Sequence, residues 1–499
     1  MTVKKKEKTT DSYSHVLKYT GVFGGVQGLN LLVGLVRNKL IAKLLGPEGM
    51  GLASLFNTTV SFISQTTNFG ISFSAVKHVS ELFDSGDEAA ISHFVSVVRT
   101  WSLLTALLGV VVCIIAGPLL SAYTFAWGDH TLHFILLSPA VALLAIMGGE
   151  TAILKGARQL RSLAVIQAYS VLAALVISIP VYYFFGQTGI VPVIVLMALA
   201  SLLLTLRHSY RLYPLKFDGI QGVLSQGMGM VRLGIAFVLA GVMGSGSEML
   251  IRSFLNVRAD LDVVGLYNAG FMVTITYAGM VFSAMEADYF PRLSAVAEDD
   301  VLGQNLTVNR QIEVSLLLLA PMLALFIVAM PVIIPLLFTS QFLPIVPMAQ
   351  VAVFSMYLKS LSLPIGYLNL AKGNSVGYLL VEAIYYTAFV LLLMVGYNRW
   401  GLLGTGLALV LSYAIELAVV YAYVYRHYHY ACSAMVLRYF LVQLLLGVAV
   451  YATTFITSAS LSWGLGLAGV AVSTAFSVRV LHRKTSLWNA LMRRWLHRQ

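Results

Sequence analysis

The sequence predicts an all-α polytopic membrane protein of about 14 transmembrane helices, arranged as two six-helix lobes plus two C-terminal helices. Three observations lead to this fold class. Hydrophobic residues make up 59% of the 499 residues and charged residues only 11%, with a mean hydropathy of +0.84. Apolar runs of roughly 20 residues, the length that crosses a bilayer, recur along the chain. Basic residues gather at the ends of alternate runs.

Composition excludes several other classes of protein. A soluble domain carries roughly 25% charged residues, so lipid rather than water must solvate most side chains here. The net charge of +11 sits at helix ends, which argues against a nucleic-acid partner. The two cysteines, Cys113 and Cys432, predict neither a disulfide framework nor a metal cluster. The basic start of the chain lacks a small-residue cleavage site, so we interpret it as retained helix rather than a signal peptide.

Hydropathy along the chain gives the positions of the predicted spans. They cover residues 16–45, 51–76, 94–120, 132–154, 162–185, 188–207, 228–252, 262–287, 312–338, 344–370, 376–396, 401–425, 436–457 and 461–481. The longest connection, roughly residues 294–310, is predicted to be a loop too short for a folded domain. Any chemistry is therefore expected within or between helices.

Basic residues also predict the orientation of the chain. Most of the 32 Lys and Arg lie in the tails and in the connections that are inside when the N-terminus is inside. Both termini are therefore predicted to be cytoplasmic. The predicted domains are a cytoplasmic tail (1–15), an N-lobe (16–210), a cytoplasmic linker (211–227), a C-lobe (228–427), two further helices (428–482) and a basic cytoplasmic tail (483–499).

Two segments share a pattern of two basic residues, six apart, followed by Gly-Leu. The first contains Arg37, Lys43 and Gly51-Leu52, and the second contains Arg252, Arg258 and Gly265-Leu266. The pattern indicates that spans 1–6 and 7–12 are duplicated halves. Because each half has an even number of helices, the two repeats would have parallel topology.

Polar residues recur at helical spacing on the first two spans of each half. The stripes include Gln27, Asn30 and Arg37 in span 1, Asn57 and Asn68 in span 2, Glu248 and Arg252 in span 7, and Asn268 and Glu286 in span 8. Such stripes favour a water-filled cavity between lobes. The alternative is interhelical hydrogen bonding, which is common in membrane bundles.

Charged residues at membrane depth are costly and are treated as functional candidates. Arg37 and Arg252 are the leading candidates for binding an anion, and phosphate fits best because guanidinium pairs bidentately with its oxygens. Lys359, well inside span 10, could add a point charge. The alternatives are interfacial snorkelling for the two arginines and a buried ion pair for Lys359.

Five carboxylates are candidates for coupling or for ion pairs. They are Glu150, Glu248, Glu286, Glu382 and Glu416. A carboxylate in low dielectric can cycle protons, but each could equally be a structural partner of a nearby cation. Glu248 and Arg252 are four residues apart and are predicted to pair on one helix face. No catalytic residue, metal site or cofactor is predicted, and proton or cation coupling is left open.

Nucleotide signals are weak. No phosphate-cradling G-x-x-x-x-G-K-[ST] loop occurs. The run Gly464-x-Gly466-x-x-Gly469 matches a dinucleotide pattern, but it lies inside the last span, where small residues serve close helix packing.

Several short segments resemble a known family. Leu45–Leu52 and Val264–Ala269 are similar to segments of the polysaccharide transporters in the multidrug/oligosaccharidyl-lipid/polysaccharide exporter superfamily. Leu154–Arg158 and Phe290–Ser294 fit the same pattern. The stretch Leu336–Leu380, which contains Lys359, is similar to the Wzx-type flippases of O-antigen and enterobacterial common antigen. The resemblance covers roughly residues 15–425, and the last two spans exceed the twelve-helix common-antigen version.

The resemblance implies a flippase of the bacterial inner membrane rather than an enzyme. Its cargo would be an undecaprenyl-pyrophosphate-linked oligosaccharide, moved from the cytoplasmic to the periplasmic leaflet by alternating access around a cationic cavity. Other polysaccharide-assembly proteins would be possible partners. A lipid II flippase remains a close alternative. A cationic-drug exporter should favour acidic cavity residues, and a polytopic O-antigen polymerase or ligase should carry a large periplasmic loop.

Overall fold

In a computed structural model of the chain, every secondary-structure element of the described residues is helical. The structure describes residues 3–124, 129–215, 223–277, 279, 282, 285, 289–290, 292–296 and 300–484. Within these ranges, side chains are described from residue 28 onward, except those of residues 223–226, 229–233 and 235–237. The described part of the chain therefore has the all-α architecture that the sequence predicts.

The described helices are numbered here in chain order. They are α1 (Val3–Thr67), α2 (Ile71–Ser85), α3 (Glu88–Thr124), α4 (Thr131–Gly156), α5 (Leu160–Phe185), α6 (Ile190–Leu212), α7 (Val223–Arg258), α8 (Leu261–Phe271), α9 (Val301–Leu337), α10 (Val346–Ala352), α11 (Phe354–Ala371), α12 (Ser375–Tyr428), α13 (Ala434–Thr453) and α14 (Ala459–Lys484). Short 3₁₀ helices span Gly186–Gly189 and Ser340–Ile345, and a π-helical turn spans Met272–Tyr277.

Two of these helices each contain a sharp corner at a glycine. Gly46 in α1 has φ 66° and Gly401 in α12 has φ 58°, in the left-handed region that only glycine adopts at little cost. Pro47 follows the first corner, where its fixed φ suits a helix start. Each corner divides one long helix into two segments, which is why the sequence predicts two spans in each place.

Seven described helical stretches are long and apolar enough to cross a membrane, and the bent pair Ser340–Ala352 and Phe354–Ala371 would make an eighth. Two of the seven, Leu160–Leu212 and Ser375–Tyr428, contain 53 and 54 residues, about twice the ~20 needed for one crossing. The chain is therefore a multi-pass membrane protein. Within the described residues, α1, α7 and α8 do not meet this criterion of length and apolar composition. These three helices carry most of the polar stripes.

Two sequence predictions need correction. The loop predicted over residues 294–310 is wrong for its second half, because α9 begins at Val301. The span predicted over residues 51–76 is interrupted between Thr67 and Ile71, where Phe69 and Gly70 adopt positive φ. Both errors arise because hydropathy follows the apolar part of a helix, whereas the backbone hydrogen bonds continue into polar residues or break at a turn.

The chain divides into two compact units. Unit 1 comprises Met1–Gly265 with Leu337–Thr339, and unit 2 comprises Leu266–Leu336 with Ser340–Gln499. In unit 1, α4 packs against α2, α3 and α6, and α1 packs against α5 and α7. In unit 2, α12 packs against α10 and α11, and α13 packs against α14. The lobe boundaries predicted from the sequence stay a prediction.

The glycines of the repeated Gly-Leu pattern meet within unit 1. A Cβ atom on Gly51 would lie 2.0 Å from the backbone oxygen of Leu261, and one on Gly265 would lie 1.9 Å from that of Pro47. Only glycine permits this close approach of the two backbones. The repeated pattern therefore has a packing role, and the duplication that it suggests remains a prediction.

Candidate functional site

Arg37 lies half-buried on α1, and its guanidinium group contacts α5 and α6. Its Nε donates to Ser178 Oγ at 3.2 Å, and its Nη2 lies 3.3 Å from Met197 Sδ. Tyr182 is a further electrostatic neighbour. In the part of the chain that the structure describes, all these partners are neutral groups. The side chain therefore reaches two neighbouring helices, and among the described residues its charge has no carboxylate partner.

A cavity of about 200 Å³ opens beside Arg37. We call it the Arg37 cavity; its polar lining comprises Arg37, Asn57, Ser61, Tyr182 and Ser201. Asn57 is exposed, and its amide nitrogen donates to the backbone oxygen of Ala53 at 2.7 Å. Guanidinium offers five donors and no acceptor, so the cavity suits an anionic group such as phosphate.

The other residues of the predicted polar stripes occupy varied surroundings. Asn30 has a buried amide oxygen and nitrogen, neither with a hydrogen-bond partner among the described residues. Asn68 donates to Ser72 Oγ at 3.1 Å, and Asn268 is half-buried on α8. The side chain of Gln27 and the whole of Glu286 lie outside the described residues. Among the described residues of the predicted polar stripes, only Asn57 lines the cavity with Arg37.

Arg252 differs from Arg37 because its partners include a carboxylate. Its side chain is buried, with 4% exposure, and its Nε donates to Ser54 Oγ at 2.7 Å. Its Nη1 lies 3.3 Å from Glu248 Oε2, which confirms the predicted pairing of these two residues on α7. Arg37 and Arg252 share none of these hydrogen-bond partners, and a common anionic ligand for the two stays a prediction.

A buried ion pair in unit 1 involves an arginine that the sequence analysis missed. Arg99 on α3 donates to Glu150 on α4 through Nε at 2.8 Å and through Nη2 at 3.3 Å. Both side chains are buried, and Ser209 on α6 also donates to Glu150. The geometry supports the structural interpretation of Glu150 over the coupling one.

Arg99 also forms hydrogen bonds with the two residues that follow α6. Its Nη2 donates to the backbone oxygen of Tyr213 at 2.9 Å, and its Nη1 donates to that of Pro214 at 3.4 Å. A signal for the pair was present in the sequence. Arg99 lies just after the predicted start of span 3, and Glu150 lies just before the predicted end of span 4. When two consecutive spans run antiparallel, the start of the first lies beside the end of the second, so Arg99 and Glu150 could have been predicted to meet.

Unit 2 contains a second charged cluster, formed by α11 and α12. Lys359 interacts electrostatically with both Glu382 and Glu416. Its Nζ also lies 5.5 Å from the centre of the Phe282 ring and 5.9 Å from that of Tyr413. The structure therefore brings together three sequence candidates, with the lysine facing two carboxylates and two aromatic rings.

A cavity of about 90 Å³ lies beside these carboxylates. Glu382 and Glu416 line it together with Tyr378 and Asn369. Asn369 is completely buried, and neither its amide oxygen nor its amide nitrogen has a hydrogen-bond partner among the described residues. Sequence reasoning missed Asn369, because a lone amide in an apolar span resembles an ordinary interhelical hydrogen bond. Carboxylate and amide oxygens could hold a proton or a small cation here.

Comparison with solved structures shows which proteins share this fold. The chain is similar to the lipid II flippase MurJ in an inward closed conformation, with 15% identity, a TM-score of 0.69, and coverage of 92% of this chain and 99% of that one. It is also similar to an inward-facing multidrug resistance transporter of the MATE family in the MOP superfamily, with 14% identity, a TM-score of 0.65, and coverage of 80% and 94%. A MOP superfamily transporter from Pyrococcus furiosus matches with 13% identity, a TM-score of 0.57, and coverage of 82% and 93%.

Comparison at the sequence level identifies the family to which the chain belongs. A comparison with curated protein sequences gave no significant match. A family model described as polysaccharide biosynthesis protein matches residues 40–347, which is more than half of the chain and includes both Gly-Leu pairs, Gly51-Leu52 and Gly265-Leu266. The chain therefore belongs to this family of polysaccharide biosynthesis proteins, with the fold of the MOP superfamily transporters.

Proposed function

We propose that the chain is a flippase, not an enzyme, that moves an undecaprenyl-pyrophosphate-linked oligosaccharide, such as an O-antigen repeat unit, across the bacterial inner membrane. Transport would run from the cytoplasmic to the periplasmic leaflet by alternating access, with both termini in the cytoplasm. Membership of the polysaccharide biosynthesis family supports the glycan part of the cargo. The similarity to a lipid II flippase over nearly the whole chain supports the lipid-linked part.

The single observation that carries this proposal is the Arg37 cavity. A half-buried guanidinium group with neutral partners faces a cavity whose lining mixes polar and apolar side chains, and a cation in low dielectric favours an anionic ligand. The pyrophosphate of the carrier lipid is such an anion. Asn57 and Ser61 add hydrogen-bonding groups beside it. Asn30, Asn68, Asn268 and Gln27 remain proposed sugar or headgroup contacts.

Coupling is assigned to the cluster of Lys359, Glu382 and Glu416. Among the described residues, this cluster has one ammonium group for two carboxylates, so one negative charge is left for a proton or a cation to compensate. We expect Glu382→Gln and Glu416→Gln to uncouple transport from the ion gradient while protein abundance stays normal. Glu81→Gln, an exposed glutamate of α2 outside the 90 Å³ cavity, serves as the control. Transport that keeps its full gradient dependence in both variants would refute this assignment.

Two other transport functions stay open. The similarity to MurJ favours lipid II as an alternative cargo, since its sugars are also carried on a pyrophosphate-linked lipid. The similarity to MATE transporters raises the alternative of drug export, which the cationic Arg37 cavity disfavours for cationic drugs. Other polysaccharide-assembly proteins are proposed partners, and neither a cofactor nor nucleic acid is part of the proposal.

Deletion of the gene tests the proposal directly. We expect undecaprenyl-linked repeat units to accumulate in the cytoplasmic leaflet and surface polysaccharide to disappear, with both restored by the wild-type gene. Lipid II and its peptidoglycan products should stay unchanged. Accumulation of lipid II instead would establish the alternative cargo, and unchanged levels of both lipids would refute transport of a lipid-linked glycan.

A further inference from the structure

A second, larger cavity lies in unit 2, away from every residue that the sequence analysis selected as a binding site. Its volume is about 910 Å³, and it lies at the start of α9 beside the start of α13 and the end of α14. We call it the α9 cavity; its lining includes Arg292, Leu306, Arg310, Glu313, Met435 and Leu481. We propose that it binds an anionic phospholipid of the surrounding bilayer.

The charged part of the α9 cavity suits a phosphate headgroup. Arg292 and Arg310 contribute two guanidinium groups, and Glu313 contributes one carboxylate, so the charged side chains in the lining sum to a positive value. The Arg292 Nη2 donates to Gln311 Oε1 at 3.1 Å, which fixes one guanidinium before any ligand arrives. Arginine binds phosphate oxygens bidentately.

Helix α13 adds to the positive potential. Its N-cap, Ser433, lines the cavity and accepts a hydrogen bond from the backbone nitrogen of Val436 at 3.2 Å. The helix that follows contains 20 residues, so its amino end carries a partial positive charge at the cavity. A helix end alone would be weak evidence, but here it lies beside two arginines.

Hydrogen bonds fix Asn309, a polar residue of the cavity lining, to the segment before α13. Asn309 donates to the backbone oxygen of Ala431 at 3.0 Å and accepts from the backbone nitrogen of Ser433 at 2.9 Å. The Tyr430 hydroxyl donates to the same amide oxygen at 3.2 Å. These bonds tie α9 to the segment before α13, so the cavity needs little reorganisation on binding.

The remaining walls are apolar, and this favours a lipid over a soluble anion. Leu306 and Met435 are 50% and 55% exposed, and Leu302 beside them is 82% exposed. Acyl chains would cover such side chains, whereas water would not. Arg292 and Arg310 lie on the face that the basic-residue distribution predicts to be cytoplasmic, where anionic lipids attract basic clusters.

Charge also argues against the C-terminal tail as the occupant. Residues 485–499 contain Arg493, Arg494 and Arg498 and no acidic side chain. A basic segment would be repelled by the two arginines of the cavity. An anionic bilayer lipid matches both the charge at one end and the apolar walls at the other.

The experiment measures lipid binding to the purified full-length protein in phosphatidylcholine nanodiscs. The probe is fluorescent phosphatidylglycerol, compared with phosphatidylcholine of the same chains and with soluble glycerol phosphate. The variants are the double change Arg292→Gln/Arg310→Gln and the cavity-filling change Leu306→Trp. The matched control is Arg207→Gln/Arg211→Gln, which removes two exposed arginines of α6 from outside the cavity.

We expect the wild type and the control to bind phosphatidylglycerol equally well, and both cavity variants to bind it about tenfold more weakly or worse. Phosphatidylcholine and glycerol phosphate should bind weakly throughout. Equal losses in the control and cavity variants would show diffuse electrostatic attraction and overturn the proposal. Competition by glycerol phosphate as strong as by the lipid would also overturn it. If the double variant does not fold, Arg310→Gln alone and Leu306→Trp decide the question.

Discussion

Arg37 and Arg99, both in unit 1, contact α6 or the residues that follow it, but the partners of their guanidinium groups differ in charge. Arg99 meets the Glu150 carboxylate at 2.8 Å and two backbone oxygens, whereas Arg37 meets a serine hydroxyl and a methionine sulfur. A buried cation that is already paired needs its carboxylate partner, because loss of that partner destabilises the fold, whereas a cation with neutral partners keeps most of its charge for a ligand. A position within a predicted span therefore does not by itself distinguish a binding arginine from a structural one.

Arg252 and Lys359 fall between these two cases. Arg252 is paired with Glu248, but that carboxylate is 43% exposed, so the compensation is partly solvated. Lys359 faces two carboxylates and completes a cluster with excess negative charge. From these partners we propose that Arg37 binds an anion, that Arg99 and Arg252 stabilise the fold, and that Lys359 belongs to the coupling cluster. The predictions below test the roles of the three arginines.

The largest expected effect is on stability, at the Arg99–Glu150 pair. We expect Glu150→Gln to lower the free energy of unfolding by about 3–5 kcal/mol, because Arg99 would be left buried without its counter-charge. Thermal unfolding in detergent measures this loss. The control is Asp84→Asn in the exposed pair with Arg158, where we expect at most about 1 kcal/mol. Equal losses at the two sites would remove the distinction between buried and exposed pairs.

A smaller loss is expected at Arg252. Arg252→Gln removes hydrogen bonds to Ser54 and Glu248, which should cost about 1.5–3 kcal/mol of stability. In a transport assay at matched abundance, the separate partners of Arg37 and Arg252 favour additive effects of Arg37→Gln and Arg252→Gln. A shared headgroup would instead give a coupling of about 0.5–3 kcal/mol in the double-mutant cycle. Such coupling would reassign Arg252 to the binding site.

The sequence predicts the fold class well because its signals are local. Apolar runs show where helices lie, and the gap predicted between residues 45 and 51 contains the Gly46 corner. The four-residue spacing of Glu248 and Arg252 predicts that they pair, as the structure shows. Helix ends were less predictable. Residues 301–310 are polar enough to resemble a loop, yet they form the first turns of α9.

The candidate site was harder to predict because it depends on contacts between distant segments. Arg99 is 51 residues from Glu150, and Arg37 is 141 residues from Ser178. Hydropathy and spacing do not show which partner a charged side chain will meet. The sequence therefore ranked Arg37 and Arg252 together, and the structure separates them by the presence of Glu248 and Ser54 beside one of them.

The most direct test of this account is the affinity of the purified protein for an undecaprenyl-pyrophosphate-linked oligosaccharide, measured for the wild type, Arg37→Gln and the control Lys43→Gln, an exposed cation on the same helix. We expect Arg37→Gln to bind about tenfold more weakly or worse, since it loses charge-assisted hydrogen bonds to the pyrophosphate. Lys43→Gln should bind as the wild type does. Unchanged affinity in a folded Arg37→Gln variant would contradict the assignment of Arg37 as the anion site.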